Sequence, residues 1–233
     1  MRPIFVTGIG TEVGKTVVSA ILVEALGADY WKPIQAGGLD ETDTDRVRKL
    51  VTNSRSFFHP ETIRLRTAAS PHAAARREGK EIHLGMFSVP QTASTGRPLV
   101  IEGAGGVLVP LNETHCMVDL IERLQCETVV VSKHYLGSIN HTLLTVEALE
   151  RRGIEILGLV FNGDENADTE SLILSKTGVP RLGSIRWEPR ITPELIKRYA
   201  GVAHCPCRRS SISSTRLRVR SRPRTKRTSC IAT

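Results

Sequence analysis

The chain has 233 residues, of which 40% are hydrophobic and 24% charged, and its formal net charge is +8. This length buries one sizeable core, and no run of about 18 apolar residues is present to cross a bilayer. The charge misleads about partners: from Gly201 onward there are nine Lys or Arg and no acid, and the rest holds 23 basic against 24 acidic residues. A near-neutral body carries no electrostatic footprint for nucleic acid or an anionic membrane surface.

In chain order, Ile4–Val6 reads as a buried strand and runs directly into the glycine-rich turn GIGTEVGKT, residues 8–16. Apolar residues at helical spacing (Val18, Ile21, Leu22, Ala25) place a helix over residues 15–26. Residues 30–34 read as a second strand, and residues 43–51 as a helix opening on acids, which suit a helix N-terminus. Ser70-Pro71 resembles an N-cap with proline at the first helical position, which gives His72 a part in a helix start. PLVIEGAGG (residues 98–106) is a buried strand entering a glycine turn, and ETVVVSK (residues 127–133) is another strand. Helices follow over 138–152 and 168–177, with the strand IEILGLVFN between them. Apolar strands alternating with helices predict an α/β fold: a single-domain parallel β-sheet flanked by helices, with ligands at the carboxyl ends of the strands.

The tail departs from this pattern. Residues 201–233 show neither helical nor strand period and no acid, and are expected to be disordered. The shift near Ala200 is abrupt enough to suggest a change of reading frame, with a basic nucleic-acid-binding arm as the competing account. Domain limits of 1–200 and 201–233 follow. Cys116 and Cys126 are too scattered for a disulfide framework or a zinc site. The chain opens without a charged region, apolar stretch and small-residue cleavage site, so a cytoplasmic location is expected.

The chemistry concentrates in the loop. Successive backbone N–H groups in a tight turn form an anion-binding nest, and the following helix adds its positive end. Lys15 reaches the outer phosphates of a nucleotide and the Thr16 hydroxyl coordinates Mg²⁺. The usual pattern has a glycine where Ile9 stands, with Gly8 and Gly10 on either side. Glu102, ending a buried strand, would be costly to bury without a cation. Asp45, in TDTDRV, is a second candidate for the metal.

Together FVTGIGTEVGKT, WKPIQAG, TDTDRV, AASPHAAARREG, VIEGAGGVLVPL, LGSINHTLLTVEAL and LGLVFNG, in this order, resemble the dethiobiotin synthetases, a P-loop NTPase-like family of biotin biosynthesis. The resemblance covers roughly residues 2–199. It implies ATP-dependent ring closure of 7,8-diaminononanoate with CO₂ (or bicarbonate), giving dethiobiotin, ADP and phosphate. It also implies Mg²⁺ and a homodimer. Lys32 matches the family's catalytic lysine and Lys15 assists it. Thr11, Glu12, Val13, Gly14, Lys15, Thr16 and Val17 match the stretch around the ATP phosphates. Thr16, Asp45 and Glu102 match the metal positions. Gly103, Ala104 and Gly105 would bring backbone amides to the ligands. Asn162, with Gly163 after it, matches the adenine-binding position, and Ile185, Arg186 and Trp187 align with a loop beside the base. Ala36, Ser138 and Asn140 match substrate positions, the last two at a helix start that would serve the partner subunit. The alternative is a switch ATPase of the septum-positioning or partition type, which carries an extra early lysine that Ile9–Glu12 do not supply. An amide-forming synthetase fits poorly without a glutaminase domain.

Overall fold

The computed structural model describes residues 2–90 and 96–202, so the tail from residue 203 lies outside the described residues. Seven parallel strands form the sheet, in the order β4-β2-β6-β1-β7-β8-β9. They are β1 (Ile4–Gly8), β2 (Asp29–Trp31), β4 (Phe58–His59), β6 (Leu99–Gly106), β7 (Glu127–Lys133), β8 (Ile156–Asn162) and β9 (Arg181–Ile185). A two-stranded sheet of β3 (Ile34–Ala36) and β5 (Ile63–Leu65) stands beside it.

Helices cover both faces. Helix α1 (Lys15–Leu26), with Val47 of α2 (Asp43–Leu50) and Ile196 of α7 (Pro193–Val202), packs on Ile4, Val6, Val100 and Val129. The opposite face of the sheet, with Phe5, Ile101 and Val130, carries α3 (Pro71–Arg77), α4 (Met117–Arg123), α5 (Ser138–Arg151) and α6 (Ala167–Thr177). Burial on both sides explains why the central strands read as continuous apolar runs rather than alternating ones. Helix α1 spans the predicted residues and is closed by Gly27 in the left-handed region, at φ 57°.

The expected strand over residues 30–34 is instead broken in two. Proline has no N–H for a ladder, and Pro33 ends the run: β2 stays in the main sheet while the chain beyond it pairs with β5, where Ile63 N–H donates to Pro33 O at 3.0 Å. Lys32 is left at the joint, at the carboxyl edge of the sheet. Strands β4, β5 and β9 and helices α4 and α7 add to the elements predicted from sequence.

The glycines after Glu102 answer to packing. A Cβ on Gly103 would lie 2.6 Å from the Phe5 ring, and one on Gly105 2.6 Å from Val109. In the fold these glycines make room for the core and for the turn back to Val109. Gly103→Ala is therefore expected to destabilise the fold by about 1–3 kcal/mol, measured as a lowered urea midpoint with unchanged m-value.

Candidate functional site

The parallel registers bring one end of every central strand together. Val6 is paired with Glu102, Trp31 with Ile101, Gly8 with Val131, Lys133 with Asn162, and Asn162 with Ile185. The glycine-rich loop rises from this edge. Its crest holds Glu12 at φ 55° and Gly14 at φ 98°. A Cβ on Gly14 would stand 2.3 Å from Asn162 Nδ2, so this glycine is required both by its dihedral and by the asparagine lying across it. Asn162 Nδ2 donates to Val13 O at 2.8 Å.

Lys15, the first residue of α1, is buried and its Nζ donates to Gly10 O at 2.7 Å. Burial pushes its pKa down to about 8; Glu102 opposes the shift and the nearby charge of Lys32 adds to it.

Glu102 is the hub. It is 1% exposed. Thr16 Oγ1 donates to its Oε1 at 2.9 Å, and Lys32 Nζ donates to the same oxygen at 3.1 Å. Tyr30 Oη donates to Oε2 at 2.9 Å. Lys32 also forms a close ion pair with the Asp43 carboxylate. Burial disfavours the charge on Lys32, but Glu102 and Asp43 outweigh it and its pKa is raised. Burial likewise works against the Asp43 carboxylate, yet the attraction of Lys32 wins and its pKa is lowered. Burial first, then the Glu102 charge, holds the Tyr30 phenol well above its ordinary value. Asp43 is fixed as the first residue of α2: its N–H donates to Gln35 Oε1 at 3.3 Å, and Thr42 caps the helix.

Asp45 does not join this cluster, which corrects the sequence assignment. Its carboxylate accepts from Thr42 N–H and Thr42 Oγ1 at 3.1 and 2.8 Å, closing a capping box, and pairs with Arg48 at 2.8 Å. Asp43, two positions earlier, faces the site in its place. The signal was present in the sequence: Thr42 and Asp45 stand at capping-box spacing, which commits the later carboxylate to the helix end. Tyr30 was missed as well. It lies two residues before Lys32, and strand alternation puts both side chains on one face.

The remaining assigned residues sit around the same edge. Thr11 and Glu12 are exposed on the loop crest, Val13 is buried beneath it, and Val17 is half-buried on the first turn of α1. Ala36 is half-buried at the end of β3, and Ala104 half-buried in β6. Gly163 N–H donates to Ile185 O at 2.9 Å, which ties the two strand ends together. Ile185 is buried, Trp187 is 72% exposed, and Arg186 faces Glu165 across the surface. Ser138 is the first residue of α5 and is not its cap; Gly137, at φ 103°, caps instead. Ser138 is buried and Asn140 exposed.

The donor set suits a hard divalent cation. Thr16, Glu102 and Asp43 supply oxygens only, and among the described residues no group of three or more His, Cys, Asp or Glu could hold a metal by itself. Two carboxylates and a hydroxyl match the way Mg²⁺ is held together with phosphates and water.

A family model described as AAA domain matches residues 2–195. The chain is 52% identical to the ATP-dependent dethiobiotin synthetase BioD of Cytophaga hutchinsonii over 200 residues, 86% of this chain and 96% of that one. It is 50% identical to the protein of the same name from Christiangramia forsetii, over 84% of this chain and 93% of that one. Among solved structures, a ParA family ATPase from Chlorobium tepidum TLS matches with a TM-score of 0.54 at 12% identity, covering 85% of this chain and 97% of that one. The septum site-determining protein MinD of Pyrococcus horikoshii OT3, complexed with Mg-ADP, matches with a TM-score of 0.54 at 15% identity, covering 91% and 100%. At these identities the structural likeness speaks for the fold alone.

Removing one charge of a buried pair leaves the other uncompensated. Lys32→Met is expected to lower stability by about 3–5 kcal/mol, and adding Glu102→Gln to it should restore a measurable part. Urea unfolding of the single and double variants checks this; a double variant less stable than the single one would contradict it.

Proposed function

The chain belongs to the ATP-dependent dethiobiotin synthetase family, and from that premise we propose that it carboxylates 7,8-diaminononanoate with CO₂ and closes the ring at the expense of ATP. The observation that carries the reading is Lys32: a lysine 4% exposed, held between Glu102 and Asp43 at the mouth of the phosphate loop.

One amine of the substrate adds to CO₂ and loses a proton, giving a carbamate. A carbamate oxygen attacks the γ-phosphorus of ATP; the bond to the bridging oxygen breaks and ADP leaves. The second amine attacks the carbonyl carbon of the carbamic-phosphoric anhydride, loses its proton, and expels phosphate as the cyclic urea forms. The carbamate, the phosphates and the phosphoryl-transfer transition state are anionic, so catalysis of that step is positioning and charge neutralisation. Lys32, whose two carboxylate neighbours keep it protonated, stabilises the carbamate and the anhydride. Lys15 exchanges its contact with Gly10 O for the outer phosphates. The loop amides and the N-terminus of α1 hold the phosphates. Mg²⁺ would be held by Thr16, Glu102 and Asp43, and would neutralise phosphate charge when bound. Asn162 and Gly163, with Ile185, Arg186 and Trp187, would flank the adenine.

A homodimer completes the proposal. Leu136 and Leu144, beside and within α5, are 103% and 54% exposed, which supports a second copy covering them. Ser138 N–H is already bound to Tyr135 O at 2.9 Å, so the amides of Ile139 and Asn140 in the first turn of α5 would then receive the substrate carboxylate of the partner site. No helix of the described residues is long and apolar enough to cross a membrane, and we place the enzyme in the cytoplasm. The switch-ATPase alternative rests on fold likeness alone.

Purified protein with MgATP and bicarbonate is expected to release ADP only when 7,8-diaminononanoate is added, with dethiobiotin identified by mass. Diamine-independent hydrolysis would favour the switch ATPase. Within the same assay, Asp43→Asn should lower kcat/KM at least about tenfold, while Asp45→Asn should leave it within about threefold and cost only helix-cap stability. The reverse order would restore Asp45 to the site.

A further inference from the structure

Tyr30 is fully buried, yet its hydroxyl does not end in the core. It donates to Glu102 Oε2 at 2.9 Å, while Oε1 of the same carboxylate receives Thr16 and Lys32. The two oxygens are thus divided: one is tied to the interior of the sheet and the other faces the phosphate loop. The phenol is held from both sides. Its ring packs against Phe58 with centroids 6.1 Å apart, and its backbone is fixed in β2 opposite Val100 of β6, two residues before Glu102.

We infer that Tyr30 is a positioning residue for the proposed reaction: its hydroxyl orients Glu102 so that a single carboxylate oxygen is presented to a divalent cation beside Thr16. The inference rests on the reading of Glu102 as a cation ligand. A carboxylate without the phenol would be free to turn or to engage the cation through both oxygens, and the Thr16 and Lys32 contacts would be lost with the rotation. Orienting partners of ligating carboxylates commonly set metal affinity by about 10–100-fold. Tyr30 itself touches no ligand in this arrangement. It acts through Glu102.

The test is the tightening of ADP binding by Mg²⁺, read as the ratio of Kd values for ADP in EDTA and in saturating Mg²⁺. Tyr30→Phe is expected to leave the EDTA value within about twofold and to reduce the Mg²⁺ tightening about tenfold. Combined with Glu102→Gln it should cost no more than Glu102→Gln alone, because both act through one carboxylate. Phe58→Leu, which disturbs the same packing without touching the hydroxyl, should leave the tightening unchanged. Equal loss in both Kd values, additive losses in the double variant, or the same effect from Phe58→Leu would overturn the inference. If Tyr30→Phe does not fold, the wild-type hydroxyl still decides: with Tyr135 and Tyr199 changed to Phe, the Raman Fermi doublet of Tyr30 should be that of a strong donor to a carboxylate, and a doublet typical of an acceptor or a free phenol would overturn it. No Mg²⁺ tightening in the wild-type protein would instead overturn the cation reading of Glu102, with the Raman result judging the hydrogen bond separately.

Discussion

The structure turns on a buried charge pair. Glu102 sits where water does not reach, and its cost is met by Lys32, which is itself met by Asp43. Glu102, Lys32 and Asp43 come from different elements: the middle of β6, the joint after β2, and the first turn of α2. The three charges together therefore fix the relative placement of three chain segments at the carboxyl edge of the sheet. They also set the sign of the site. Lys15 and Lys32 stand close enough to repel each other, and the two acids between and beside them make that density of positive charge tolerable until anionic ligands arrive.

Much of this was legible in the sequence because the signals were physical and local. The apolar run before GIGTEVGKT could only be a buried strand, and the helix after it ended where Gly27 allows a left-handed cap. Glu102 was legible for a related reason: an acid directly after a buried apolar run demands a partner, although β6 continues beyond it to Gly106. What was not legible depended on choices between near-equivalent residues. In TDTDRV both aspartates stand in the first turn of the same helix; the capping-box spacing from Thr42 marks Asp45 for the helix end, but only the three-dimensional path of α2 shows that Asp43 faces Lys32. The short elements β4 and β5 carry too few residues to show a period. Tyr30 resembled core, and by burial it is core; nothing but its hydroxyl separates it from a phenylalanine.

Pro33 illustrates how one residue serves both fold and site. By ending β2 it divides what would be one strand between two sheets. The break leaves Lys32 at the last position before the chain leaves the main sheet, where a side chain can be enclosed by β6 on one side and α2 on the other. The glycines after Glu102 do the complementary job from beneath, letting Phe5 and Val109 close against the backbone so that the strand bearing Glu102 cannot shift outward.

Asn162 has a further consequence. Its amide nitrogen already holds Val13 O, the carbonyl under the crest of the phosphate loop. One hydrogen of that nitrogen is committed, leaving the second hydrogen and the carbonyl oxygen for anything that docks above. A base held by those remaining groups would therefore share a side chain with the loop that grips the phosphates. Discrimination between bases would be felt at the other end of the nucleotide, as a change in the shape of the phosphate cradle, and a mismatched base could bind with little loss of affinity and still present its γ-phosphate badly.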